Sequence, residues 1–115
     1  MNLGSFKVEH IFGDAKTFYI NKRNIESISI SSSRKSANIN NAYLTFADGT
    51  TEDLWNLTGK VSNGKTVTAY VDNQYKVVRS ITVEASSRNI KGSRPQLSVS
   101  AVVGDSVIDR PRRRR

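Results

Sequence analysis

Hydrophobic and polar positions alternate along most of this chain, and the alternation is sharpest over 41–57, NAYLTFADGTTEDLWNL. Ala42, Leu44 and Phe46 fall on one side of an extended backbone, with Tyr43, Thr45 and Ala47 on the other. Successive strand side chains point to opposite faces, so this period of two predicts a half-buried strand. Asp48-Gly49 predicts a tight turn, because glycine enters positive φ without a Cβ clash. Thr50 to Leu54 then form the returning strand, with Trp55 and Leu57 at its end. Tyr43, Phe46 and Trp55 are expected to form an aromatic cluster closing a sheet, since aromatic rings bury large areas. Trp55 and Tyr43 are also the candidates for a ligand-stacking platform.

The same period recurs on both sides of this stretch. Residues 5–11 set Phe6, Val8 and His10 on one side, and Gly13-Asp14 signals a turn. A second strand is predicted over 16–20, and a third over 25–33, where Ile28 and Ile30 oppose serines. Residues 34–38 read as a basic loop, and 58–64 as a turn containing Asn63-Gly64. Over 65–71, Val67, Ala69 and Val71 face one way and Thr66, Thr68 and Tyr70 the other. After a turn at 72–74, residues 75–86 form the longest candidate, with Val77, Ile81, Val83 and Ala85 in register. Arg79 interrupts that face, which predicts a bulge or an edge position. Residues 87–95 form a second basic loop, and 96–103 alternate again on Leu97, Val99, Ala101 and Val103.

No segment carries a persuasive apolar stripe of helical period. About eight short strands with turn signals between them predict an all-β fold, an antiparallel β-sandwich, with a small β-barrel as the alternative. Residues 1–104 are expected to form a single domain, and 105–115 a flexible arginine-rich tail.

Composition adds limits. A chain of 115 residues fits one domain, and 37% apolar content with abundant serine, threonine and asparagine suits sheets with one wet face. With no cysteine there is no disulfide framework, thiol nucleophile or cysteine metal site. No apolar run reaches the roughly 18 residues of a membrane-spanning helix. The first residues lack a charged start followed by an apolar core, and the chain enters a strand almost at once, as expected of the mature form of an exported domain.

Charge changes the picture more. The net charge is +8, but five of the 18 basic residues are Arg110, Arg112, Arg113, Arg114 and Arg115. Without them 13 basic residues face 10 acidic ones, or +3, so the high charge belongs largely to the tail. Arg34 and Lys35 lie in one loop, and Arg88, Lys91 and Arg94 in another. If both loops meet at one end of a sandwich they make a cationic rim. Arginine suits phosphate and carboxylate because its planar guanidinium offers a fork of donors. These residues, with the five tail arginines, are the candidate polyanion site.

Enzyme signatures are missing. His10 lacks clustered partners for a metal, no nucleophile elbow occurs, and no glycine-rich phosphate loop precedes a helix. Asp48, Glu52 and Asp53 form the densest acidic patch, without the spacing of a calcium loop, and read as a solvated hairpin end. Asn56-Leu57-Thr58 fits a glycosylation acceptor pattern that is common by chance. Neither a cofactor nor a metal is expected.

From residue 25 onward, the succession IESISISSS, YLTFADGTTEDL, KTVTAYV, VVRSITVEAS and PQLSVSAVVG resembles a family of small exported bacterial β-domains of unassigned function. In that family a segment of the form yRxIxxIxxxY precedes a final strand ending in glycine, and here VVRSITVEASS and the AVVG ending at Gly104 hold those places. The resemblance implies an extracytoplasmic sandwich without catalytic residues; the arginine tail departs from it. The expected function is a non-enzymatic binding or structural module, exported or envelope-associated. Polyanion or nucleic-acid binding through the tail and basic loops is one alternative, and carbohydrate binding another. The expected partners are an anionic polymer, a membrane surface or another protein.

Overall fold

The computed structural model describes residues 1–9, 13–87 and 94–104. Its strands are β1 (Asn2–Lys7), β2 (Asp14–Lys22), β3 (Ile25–Ser33), β4 (Ala37–Phe46), β5 (Thr51–Asp53), β6 (Gly59–Val61), β7 (Thr66–Tyr70), β8 (Val78–Ser86) and β9 (Gln96–Val103). One short 3-10 helix, Trp55–Leu57, interrupts them. Two antiparallel sheets result. One has the order β1-β9-β3-β7; the other has β2-β8-β4-β5, with β6 also paired to β4. Neither closes into a barrel, so the sandwich reading holds and the barrel alternative does not.

The core lies between the sheets. Ile28, Ile30, Val99 and Leu97 face inward from the first sheet, and Ile39, Leu44, Ile81 and Val83 from the second. The outer faces are polar, as the alternation requires. On the first sheet, register aligns Ser5, Ser98, Ser31 and Thr66 in one row and Asn2, Ser100, Ser29 and Thr68 in the next. Ser29 and Thr68 join their hydroxyls at 2.8 Å.

Four details differ from the sequence reading. First, β4 starts at Ala37, inside the stretch read as a basic loop, and β6 forms inside a stretch read as a turn. The two pair with each other, Ala37 with Val61 and Ile39 with Gly59. Second, β8 begins at Val78, so Tyr75 to Val77 belong to the preceding loop and Val77 is outside the register. Third, of the two readings for Arg79 the bulge holds and the edge position does not, since the bulge lies on a central strand. The partners of Thr45 and Phe46 step from Ser80 to Val78 and skip it, and its guanidinium reaches the Ala47 carbonyl at 3.0 Å. Fourth, the 46–51 connection spans four residues. Phe46 N–H donates to the Thr50 carbonyl at 2.8 Å, and Gly49 takes φ of 91°, a conformation side-chain-bearing residues disfavour.

The expected aromatic cluster does not form. Phe46 is buried, Tyr43 is half-buried on the outer face of the second sheet, and Trp55 is 70% exposed. Among the described residues the paired rings are Phe6 and Phe18, 6.1 Å apart. The physical reason lies in the 3-10 turn. Leu54 and Leu57 plug the open side of the sandwich between β4 and β7, and the tight turn between them sends Trp55 outward.

Candidate functional site, a cationic end of the sandwich

The turn joining β3 to β4 and the turn joining β6 to β7 are stitched together. Arg34 sits in the left-handed region at φ 74°, which lets the chain reverse between Ser33 and Ala37. The Ser32 hydroxyl donates to the Lys35 carbonyl at 2.5 Å. Across the gap, Gly64 N–H donates to the Ser32 carbonyl at 2.8 Å, Ser32 N–H donates to the Lys65 carbonyl at 3.2 Å, and the Asn63 amide reaches the Arg34 carbonyl at 3.4 Å. These bonds fix the backbone of Arg34, Lys35 and Lys65 side by side. The β4–β6 pairing adds Lys60, opposite Asn38.

Arg94 joins the same end from the other loop. Ser33 pairs with Gln96, and the Ser33 hydroxyl donates to the Gln96 carbonyl at 3.4 Å. Lys7 also pairs with Gln96, and Val8 N–H donates to the Pro95 carbonyl at 3.0 Å. The Arg94 guanidinium donates to the Glu9 carbonyl at 3.0 Å. The backbone thus places Arg34, Lys35 and Arg94 at the same end of the sandwich. Arg88, Lys91, Arg110, Arg112, Arg113, Arg114 and Arg115 lie outside the described residues, as does His10.

The sequence pattern does not single out Lys60, Lys65 or Lys7. Lys65 follows an Asn-Gly turn signal, but its position beside Arg34 depends on a long-range contact that no local pattern encodes. The charge is also asymmetric within this end. Residues 31–37 and 59–66 carry four cations and no acid. Glu9, Asp14 and Glu84 lie on the β1–β2–β8 side, where Asp14 accepts the Glu9 N–H at 2.7 Å. An open depression of about 210 Å³ adjoins that side, lined by Gly13, Asp14, Ala15, Asn40, Glu84 and Ala85.

Elsewhere two acidic residues, Asp48 and Glu52, are engaged structurally. Asp48 accepts the Thr50 hydroxyl at 2.5 Å and the Thr50 N–H at 2.9 Å, and Lys76 stands 3.3 Å away. These bonds, those from Thr50 foremost, hold its carboxyl down at about 2. Glu52 accepts Asp72 N–H at 2.8 Å, Asn73 N–H at 3.1 Å and the Asn73 amide at 2.8 Å, which pins the loop between β7 and β8. Asp48 and Glu52 thus work in separate contacts and do not converge on one point. Trp55 and Tyr43, the stacking candidates, both reach the surface, but their rings do not pair with each other.

No family model matches the chain, and no curated protein matches it. Among solved structures the chain is similar to part of AlgX from Pseudomonas aeruginosa. The match has 14% identity and a TM-score of 0.54, and covers 90% of this chain and 27% of that one. The chain thus spans about a quarter of the length of AlgX, and the likeness is one of fold.

Proposed function

We propose that this chain is a non-enzymatic β-sandwich module, exported or envelope-associated, that binds an anionic polymer through its cationic end. One observation carries the reading: Arg34, Lys35, Lys60 and Lys65 come from two turns that hydrogen bonds hold together, in segments free of acidic residues. Fixed backbones reduce the conformational entropy lost when the side chains engage a ligand. Repeated carboxylate, sulfate or phosphate groups would meet several cations at once, with steep salt dependence. Among the described residues the exposed aromatics lie away from this end: Tyr70 and Tyr75 at the opposite end, Tyr19 and Trp55 along the sides. The described rim therefore offers charge and hydrogen bonds rather than base stacking. The exported placement rests on the resemblance of the strand succession to that of exported bacterial β-domains.

The test is a titration of the full chain with heparin, polyglutamate and oligothymidylate. All three should bind, and Arg34→Ser with Lys60→Ser and Lys65→Ser should weaken each by about tenfold or more. Unchanged affinity for all three would overturn the assignment of the rim. Turnover in an activity screen, abolished by changing His10 or a single carboxylate, would overturn the non-enzymatic reading.

A further inference from the structure

The edges of the two sheets are not alike. β1 is broken by a register shift between Asn2 and Gly4, where Gly4 takes φ of 136°. β2 shifts between Tyr19 and Lys22 and carries exposed Lys16 and Lys22. β5 and β6 have three residues each, and the 3-10 turn separates them. Bulges, charges and short lengths are the usual means by which an exposed edge avoids pairing with another chain. β7 uses neither bulge nor charge. It reads TVTAY, without glycine or proline, and its register with β3 is unbroken.

Hydrogen bonds show which groups this edge leaves free. Val71 N–H donates to the Glu26 carbonyl at 2.9 Å, and Ser32 N–H donates to the Lys65 carbonyl at 3.2 Å. Backbone groups alternate along an antiparallel ladder, so Lys65, Val67, Ala69 and Val71 turn theirs to β3, while Thr66, Thr68 and Tyr70 turn theirs away. Among the described residues no strand pairs with that side. The 3-10 turn, with Leu57 buried, lies near β7 but gives it no backbone hydrogen bond. The free segment stops at both ends: Gly64 N–H is taken by the Ser32 carbonyl, and Asp72 N–H by Glu52. The side chains of Thr66, Thr68 and Tyr70 are exposed. Tyr70, at 74%, and Val102, at 52%, flank Ser27 and form an apolar cluster where the edge ends, and Trp55, at 70%, stands on the neighbouring turn. Exposed aromatic residues beside unpaired backbone mark a contact site.

These groups complement a second copy of themselves. In an antiparallel pair centred on Thr68, that residue faces Thr68 of the second copy, and Thr66 faces Tyr70 of the second copy. Each free N–H of Thr66, Thr68 and Tyr70 then meets a free carbonyl, and no group already bonded within the chain is needed. Charge selects the same direction. Exposed Lys65 and Asp72 bracket β7, and among the described residues neither is in an ion pair. Antiparallel pairing brings Lys65 of each chain next to Asp72 of the other, whereas parallel pairing sets lysine beside lysine. We infer that this chain forms a two-fold dimer in which β7 of each copy pairs antiparallel with β7 of the other, joining the two β1-β9-β3-β7 sheets into one. Thr68 lies on the two-fold axis. The axis sets the two cationic rims at opposite ends of the dimer, and the pairing does not depend on what the rims bind.

The experiment is sedimentation equilibrium of the full chain, without added polyanion, from about 1 μM to 1 mM. The edge is short, so the dimer should form above about 10 μM and within that range. Thr68→Lys sets two ammonium groups face to face on the axis, at a position exposed in the monomer, and should leave the chain monomeric throughout with its fold intact by circular dichroism. Cysteine supplies a second readout, in a chain that has none of its own. Directly opposed, hydrogen-bonded Cα atoms lie about 5.5 Å apart, within disulfide reach, while Thr66 and Thr66 of the second copy lie more than about 13 Å apart. Oxidised glutathione should therefore link the Thr68→Cys variant into a covalent dimer and leave the Thr66→Cys variant unlinked. A wild-type chain that stays monomeric to about 1 mM would overturn the inference. So would dimerisation of the Thr68→Lys variant at wild-type strength, or equal cross-linking of the two cysteine variants.

Discussion

Trp55 and Leu57 stand two residues apart and have opposite fates. Leu57 is buried against the side of the core, while Trp55 projects from the 3-10 turn that carries both. Leu57→Ala removes a filled volume that the neighbouring strands cannot fully collapse around, and should cost about 2–5 kcal/mol. Trp55→Ala should change stability by less than about 0.5 kcal/mol, as for surface positions without a structural role. Chemical denaturation of the two variants checks this pair, and a large loss at Trp55 would return it to a packing role. If Trp55 stacks on a sugar ring, the same variant loses glycan binding with its fold intact. Asp48 gives a pH signature. Its carboxyl sits near 2 in the folded chain, below its ordinary value of 3.8, because Thr50 and Lys76 favour the charged form. Its stabilising effect is therefore complete above about pH 4 and is lost as pH falls through about 2. Asp48→Asn should flatten that part of a plot of melting temperature against pH. A plot that keeps its full slope would show that other carboxylates carry it.

At the scale of elements, the clearest device is Glu52 on β5. Its two carboxylate oxygens accept three donors from Asp72 and Asn73, so a three-residue strand in one sheet fixes the loop leading from the other. Glu52→Ala leaves these donors to water. It should cost about 1–3 kcal/mol and speed hydrogen exchange at the Asp72 and Asn73 amides, with little change in β3 or β9. Uniform acceleration across all strands would contradict this local role. Much of the element pattern is legible in the sequence. Alternation over 42–46, 66–70 and 96–101 places the buried faces correctly, because a period of two with one wet side leaves little ambiguity. The Arg79 interruption is legible as well. The β4–β6 pairing is not: β6 has three residues, of which only Val61 is buried, and its strand character comes from its partner. Ring size alone misjudges Trp55, because it takes no account of the 3-10 turn that sends the ring outward. The same limit hides Lys60 and Lys65, whose nearness to Arg34 arises from bonds across two turns.

At the scale of the whole molecule, the two ends of the strands differ in chemistry. The core and the sheet faces account for most residues between. One end gathers Arg34, Lys35, Lys60 and Lys65 from segments that contain no acidic residue, with Lys7 and Arg94 close by. The other holds an apolar cluster where the chain continues into its arginine-rich segment. The measurement that tests the rim most directly is the salt dependence of binding to oligothymidylate, used as an unfolded polyanion. Each cation engaged contributes a slope of roughly −0.7 in log affinity against log salt. Replacing Arg34, Lys60 and Lys65 by serine in the full chain should reduce that slope by about 2. An unchanged slope in this variant, with binding lost only when the arginines after Gly104 are replaced, would contradict the account and move the polyanion site to the tail.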